Sequence, residues 1–127
     1  MTDQLVIPAG YQRVMPYLIV DNADAFLDFA KKIFGATEKL ISRRENKRIM
    51  HAELQIGDST IMFSESTPEY SRQNASLYVY VPDADVAYIN ALAQGATSIM
   101  EMCDQPYGRT GGITDPSGNT WWIVTAK

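Results

Sequence analysis

The sequence predicts an α+β fold of two successive βαβββ modules, whose curved mixed sheets surround a cleft with the helices outside. Three observations point to it. Each half carries a helical-period segment with one strand-like run before it and three after it. The approaches to the two helices are alike, Val20-Asp21 in the first half and Val81-Pro82-Asp83 in the second. So are the exits, Phe34-Gly35-Ala36-Thr37 and Gln94-Gly95-Ala96-Thr97. Identity between the halves is slight, so the repeat lies in element order and spacing.

In chain order, residues 1–12 form a lead-in arm broken by Pro8 and Gly10. Residues 13–20 read as a strand, with Pro16 marking an edge position or a broken ladder. Asp21 or Asn22 caps the next segment, because a short side-chain oxygen accepts from a free helix N–H. In Ala23–Phe34 the residues Phe26, Leu27, Ala30, Ile33 and Phe34 recur at helical spacing, and Gly35 supplies the stop. Strands follow at 37–44, 48–56 and Ser59–Glu65, with turns at 45–47 and at Gly57-Asp58. Alternation on the middle strand puts Met50, Ala52, Leu54 and Ile56 on one face and His51, Glu53 and Gln55 on the other.

Residues 66–75 are a polar link. The pattern restarts with a strand at 76–81 and a helix opened by Pro82-Asp83 and running to Ala93. Its inner stripe is read as Val86, Ile89, Asn90 and Ala93, helped by Leu92, and Gly95 ends it. The remaining strands are 97–102, Gly108–Thr114 and 120–125, with a connection at 103–107 and a turn at 115–119. The organisation is one domain, 1–127, made of half-modules at about 11–66 and 75–127.

Composition narrows the function classes. Hydrophobic residues at 46% and charged residues at 20% suit a globular core. No apolar run approaches the roughly eighteen residues of a membrane span, and the N-terminus lacks the basic flank and apolar stretch of a signal peptide. Cys103 is the only cysteine, which excludes an internal disulfide and a zinc-binding cysteine cluster and favours a cytoplasmic setting. A net charge of -4 argues against nucleic acid as partner. The one basic cluster, Arg43, Arg44, Lys47 and Arg48, falls at a turn and is interrupted by Glu45.

Four segments together resemble the vicinal oxygen chelate superfamily, and within it the PhnB-like group of glyoxalase/bleomycin-resistance proteins. They are PYLIVDNADAFLDFAKKIFGA at 16–36, MHAELQIGDSTIMFSE at 50–65, LYVYVPDAD at 77–85 and YGRTGGITDPSGNTWWIV at 107–124. The resemblance implies paired modules around a cleft and a homodimer. It places the metal-ligand positions of the family's enzymes near Val14, at Met62 or Ser64, at Ser76 and at Trp122. None is a histidine or a carboxylate, so no metal and no cofactor is expected. Trp122 stands where the metal-binding members commonly have glutamate and offers stacking surface instead.

The residues offer other site chemistry. His51 and Glu53 share a strand face, two residues apart, as ligand contacts or, in an enzyme, as an acid/base pair. Tyr78, Tyr80 and Trp122 share a parity that makes an aromatic-lined slot for a planar or cationic ligand. Tyr107 and Arg109 sit in a loop beside the cleft, where Arg109 either grips an acidic group or pairs with Glu101 or Asp104. Asp115 and Asn119 read as turn formers, and Cys103 lacks an activating base. The leading function is metal-independent binding of an aromatic or cationic small molecule, as in bleomycin-resistance-type proteins, rather than catalysis. The alternatives are a lyase, isomerase or dioxygenase-like enzyme with an atypical metal site or His51 chemistry, and a structural or regulatory dimer with a vestigial cleft.

Overall fold

The computed structural model describes residues 4–127; residues 1–3 of the expected arm lie outside the described residues. The first sheet holds β1 (Tyr17–Val20), β2 (Thr37–Arg43), β3 (Ile49–Ile56) and β4 (Ser59–Glu65) in the order β1-β4-β3-β2. The second holds β5 (Ser76–Tyr80), β6 (Thr97–Gln105), β7 (Gly108–Thr114) and β8 (Thr120–Ala126) in the order β5-β8-β7-β6. β1 runs parallel to β4 and β5 parallel to β8, and every other pair is antiparallel. Both sheets are therefore mixed, with α1 (Ala23–Phe34) and α2 (Ala84–Ala93) packing outside them.

Of the two candidate caps for α1, Asn22 is the one that serves, since its side chain accepts from the Ala25 N–H at 3.1 Å. Gly35, with φ 67°, adopts the left-handed conformation that ends α1. Asp83 caps α2 through the Val86 N–H. The expected inner stripe of α2 is corrected. Val86 and Ile89 are 52% and 62% exposed, Leu92, Asn90 and Ala93 are also exposed, and the buried residues are Ala84, Ala87, Tyr88 and Ala91. This helix is apolar on nearly every side, so its own periodicity selects no face. Small alanines on the inner side let it approach β7, where Gly111 faces it. A Cβ on Gly111 would collide with Met102 Sδ and meet Tyr88 Cδ1 at 3.3 Å.

Three strand expectations also change. The first strand begins at Tyr17 rather than at 13, because Pro16 has no N–H for a ladder; its carbonyl still accepts from Met62. β6 continues to Gln105, with Cys103, Asp104 and Gln105 paired to Thr110, Arg109 and Gly108, so most of the expected connection is strand. A bulge between β2 and β3 leaves Met50 45% exposed and turns Ile49 inward beside Ala52 and Leu54.

The helix-covered faces of the two sheets meet in one core. Phe26 packs edge-on against Phe63 with ring centroids 5.0 Å apart, and Phe34 lies 4.4 Å from Trp121 of the other module. Burying such aromatics contributes about 1.5–3 kcal/mol each, so Trp121, 1% exposed, is a principal tie between the halves. The opposite face of each sheet is left open.

Candidate functional site

Most of the candidate residues, Arg109 and Tyr107 excepted, fall on those two open faces. On the first sheet, the register Tyr17↔Met62↔Glu53 aligns β1, β4 and β3, and His51 follows Glu53 at the same parity. His51 Nε2 lies 2.7 Å from Glu53 Oε2, and His51 Nδ1 lies 3.2 Å from the Tyr17 hydroxyl. The Glu53 side chain is only 4% exposed, and its other oxygen accepts from the Tyr11 hydroxyl. Tyr11 belongs to the lead-in arm, which is pinned across this face. Thr60 Oγ1 and Lys39 donate to the Gly10 carbonyl, while Gln12 bonds to the Asp58 carbonyl and the Thr60 N–H. The Lys39 ammonium also sits 3.7 Å from the centre of the Tyr11 ring.

These contacts set protonation. Burial pushes the Glu53 carboxyl up, but hydrogen bonds from Tyr11 and His51 and the charges of His51 and Lys39 outweigh it, so the group lies below its ordinary value. The bond to this carboxylate raises the Tyr11 hydroxyl, as do burial and the nearby charge. An ionised Glu53 only accepts, so His51 presents an N–H on Nε2 to it, and in the neutral form of the imidazole Nδ1 accepts from Tyr17. Sequence reasoning finds His51 and Glu53 by parity and misses Tyr11, Tyr17 and Lys39. The parity of Tyr17 opposite the core residues Leu18 and Val20 is an available signal; the course of a non-periodic arm has none.

On the second sheet, Tyr78 and Tyr80 are 52% and 67% exposed, with rings 5.4 Å apart and nearly perpendicular. Trp122 stands beside Tyr78 in register and donates from Nε1 to Ser76 Oγ at 3.2 Å. Its ring lies over Gly112, where a Cβ would come within 2.6 Å of Cζ3, so glycine provides the floor for the indole. Burial raises the Tyr78 hydroxyl first, and the Tyr80 and Tyr107 hydroxyls add to it. A cavity of about 580 Å³ runs along the free edge of β5, lined by Tyr78, Tyr80, Leu77, Pro16, Asp58 and Thr60 among others.

Arg109 has the parity of Gly111 and Ile113, toward α2. Its guanidinium grips Asp85 with two bonds of 3.1 Å and reaches Asp104 at 3.3 Å. The structure thus engages it locally and does not join it to the aromatic cluster. Nor do His51 and Glu53 line the cavity beside Tyr78 and Tyr80. Asp115 is a buried turn former, accepting from the Ser117 and Asn119 N–H groups and, at 2.8 Å, from Trp121 Nε1. Arg43 and Arg48 of the basic turn pair with Asp24 and Glu65.

The family's metal-ligand positions carry the wrong donors. Val14 is apolar and 86% exposed, Met62 is a thioether, and Ser76 is engaged by Trp122. Such a set does not fit a hard or borderline divalent ion. Among the described residues, no three His, Cys, Asp or Glu side chains stand together. Nor is any helix among them long and apolar enough to cross a membrane.

Two four-stranded βαβββ modules with open faces define a fold that resembles bleomycin-resistance and PhnB-like proteins. Residues 10–123 match the Glyoxalase/Bleomycin resistance protein/Dioxygenase superfamily, and the chain belongs to it. An uncharacterized protein of Mycobacterium bovis, Mb0911c, is 30% identical over 118 residues, covering 84% of this chain and 78% of the relative. Among solved structures, the PhnB protein from Bacillus cereus superposes with a TM-score of 0.72 at 17% identity, covering 91% of this chain and all (100%) of that one. The bleomycin-binding protein of Streptomyces verticillus, solved with copper(II)-bleomycin, gives a TM-score of 0.62 at 17% identity, covering 92% and 98%.

Proposed function

We propose that this protein binds a planar aromatic or cationic small molecule, without a metal, on the surface made by Tyr78, Tyr80, Tyr107 and Trp122. The carrying observation is that Tyr78 and Tyr80 are each more than half exposed on one open sheet face, beside an indole seated on glycine. Exposed aromatic rings in a cluster offer stacking and cation–π contacts that a globular surface does not need for its own stability. The protein acts as a cytoplasmic homodimer. Supporting the dimer, Tyr78 and Tyr80 are more than half exposed in the single chain, and a second copy would bring the His51 face and the aromatic face together around one cleft.

The test is native mass spectrometry of protein purified without chelator from its own host. A dimer that carries an aromatic adduct and no stoichiometric metal, with the adduct lost when Tyr78, Tyr80 and Trp122 are replaced by alanine, is the expected result. One divalent ion per chain, or an adduct that survives the triple replacement, overturns it. A second reading, an acid/base enzyme, is favoured by the 2.7 Å His51–Glu53 contact; turnover of the co-purified compound that stops in His51→Gln would establish it.

A further inference from the structure

On the first sheet the obvious ligand group is His51, yet both its ring nitrogens are already engaged, one by Glu53 and one by Tyr17. Neutral imidazole has one donor and one acceptor in the ring plane, so nothing is left for a third partner. The direction of the chain follows from its buried end. Glu53 is ionised and acceptor-only, with one oxygen taken by Tyr11 and one by His51. An N–H on Nε2 is thereby fixed, and in the neutral tautomer Nδ1 accepts while the Tyr17 hydroxyl donates inward. Its oxygen lone pairs then face outward from a residue that is 50% exposed. The rings of Tyr17 and His51 are 5.6 Å apart and tilted by 32°, so an aromatic shelf borders this oxygen.

We infer that Tyr17 is the ligand-contacting group of the first sheet, an acceptor for an N–H donor on a planar aromatic compound, held in that role by His51, Glu53 and Tyr11. The inference deepens the small-molecule-binding reading and rests on it. His51 and Glu53 are positioning residues: the carboxylate fixes the imidazole tautomer, and the imidazole fixes which way the phenol points. Cooperative polarisation along such a chain strengthens its outer acceptor. Lys39, although near Glu53, is directed to the Gly10 carbonyl, Thr60 and the Tyr11 ring, at the far end of the chain from Tyr17. The surface at Tyr17 therefore favours a donor over an anion.

His51 is the chain's only histidine, so its imidazole nitrogens give unambiguous NMR signals. The probes are benzamidine, a planar aromatic bearing N–H donors, and benzyltrimethylammonium, a cation of similar size with none. Benzamidine in the millimolar range is expected to move the His51 Nδ1 resonance of the wild-type protein. Tyr17→Phe, which keeps the ring and the fold, is expected to weaken benzamidine on the order of tenfold, the worth of one charge-assisted hydrogen bond. Benzyltrimethylammonium affinity should be the same in both. In Glu53→Gln the imidazole should become a mixture of tautomers, with benzamidine weakened to a similar degree. Unchanged benzamidine affinity in Tyr17→Phe, or a wild-type imidazole that carries its proton on Nδ1, overturns the inference. If benzamidine quenches Trp122 and broadens Tyr78 without moving His51, the inference fails while the aromatic surface of the second sheet stands. Absence of benzamidine binding at either face defeats the inference and counts against that surface too.

Discussion

The two modules share strand order, parallel and antiparallel pairing and helix placement, yet their open faces differ in chemistry. The first is polar and strapped: Tyr11, Glu53, His51 and Tyr17 form one hydrogen-bonded chain, and residues 10–12 lie across it. The second is aromatic, with Tyr78 and Tyr80 exposed beside Trp122. The comparison teaches that core-facing positions specify this backbone, while alternate positions are free to carry function. The helices give the same lesson. Counted from their caps, Asn22 and Asp83, four of the five buried residues of α1 (Ala23, Phe26, Leu27 and Ala30) coincide with the four of α2 (Ala84, Ala87, Tyr88 and Ala91), and only Phe29 lacks a buried counterpart.

The sharpest way to break the comparison lies in the turns before β4 and β8. Asp115 satisfies two backbone N–H groups and the Trp121 indole from a buried position, whereas Asp58 in the equivalent turn of the first module is exposed and uses only its carbonyl. Asp115→Ala is expected to cost about 3 kcal/mol, because buried donors lose a charged acceptor, and Asp58→Ala less than about 0.5 kcal/mol. Urea denaturation followed by tryptophan fluorescence checks both. Equal losses would mean that the two turns carry equal weight.

A smaller effect separates the open faces. Glu53→Gln is expected to destabilise by about 1–2 kcal/mol at neutral pH, since the amide replaces a charged acceptor of two hydrogen bonds. Its sign with pH follows from the lowered carboxyl. The Glu53 contribution is fully present above the ordinary value of 4.5 and is lost as pH falls through the lower folded value. The wild type should lose stability across that window and the glutamine variant should lose less. Parallel curves would remove Glu53 from the account.

The smallest effect concerns α2. Ile89→Lys replaces a residue that is 62% exposed and should change stability by no more than about 0.5 kcal/mol. Ala91→Leu, at a fully buried position, should cost about 1–3 kcal/mol through overpacking. Thermal melts of the two variants rank them, and the reverse order would restore the stripe that periodicity suggests. Periodicity misleads there because α2 is apolar around its whole circumference. Aligning its cap with that of α1 selects the correct face from sequence alone. The aromatic parity of Tyr78, Tyr80 and Trp122 is legible too, since strand alternation is strict where one face is buried by a helix. Arg109 is harder, because Asp85, its strongest partner, stands 24 residues away on a helix.

By itself the sequence determined the order of elements, the turns at Gly57-Asp58 and 115–119 and many of the core-facing positions. These are local properties: period and chain punctuation. Only the tertiary structure decided which side chains meet. Tyr11 reaches Glu53 across 42 residues and Tyr17 reaches His51 across 34. Those meetings depend on strand register and on the path of an arm with no period of its own. It also decided that Phe26 and Phe34 of α1 meet Trp121 of the other module, which ties the two halves into one core by burying apolar surface.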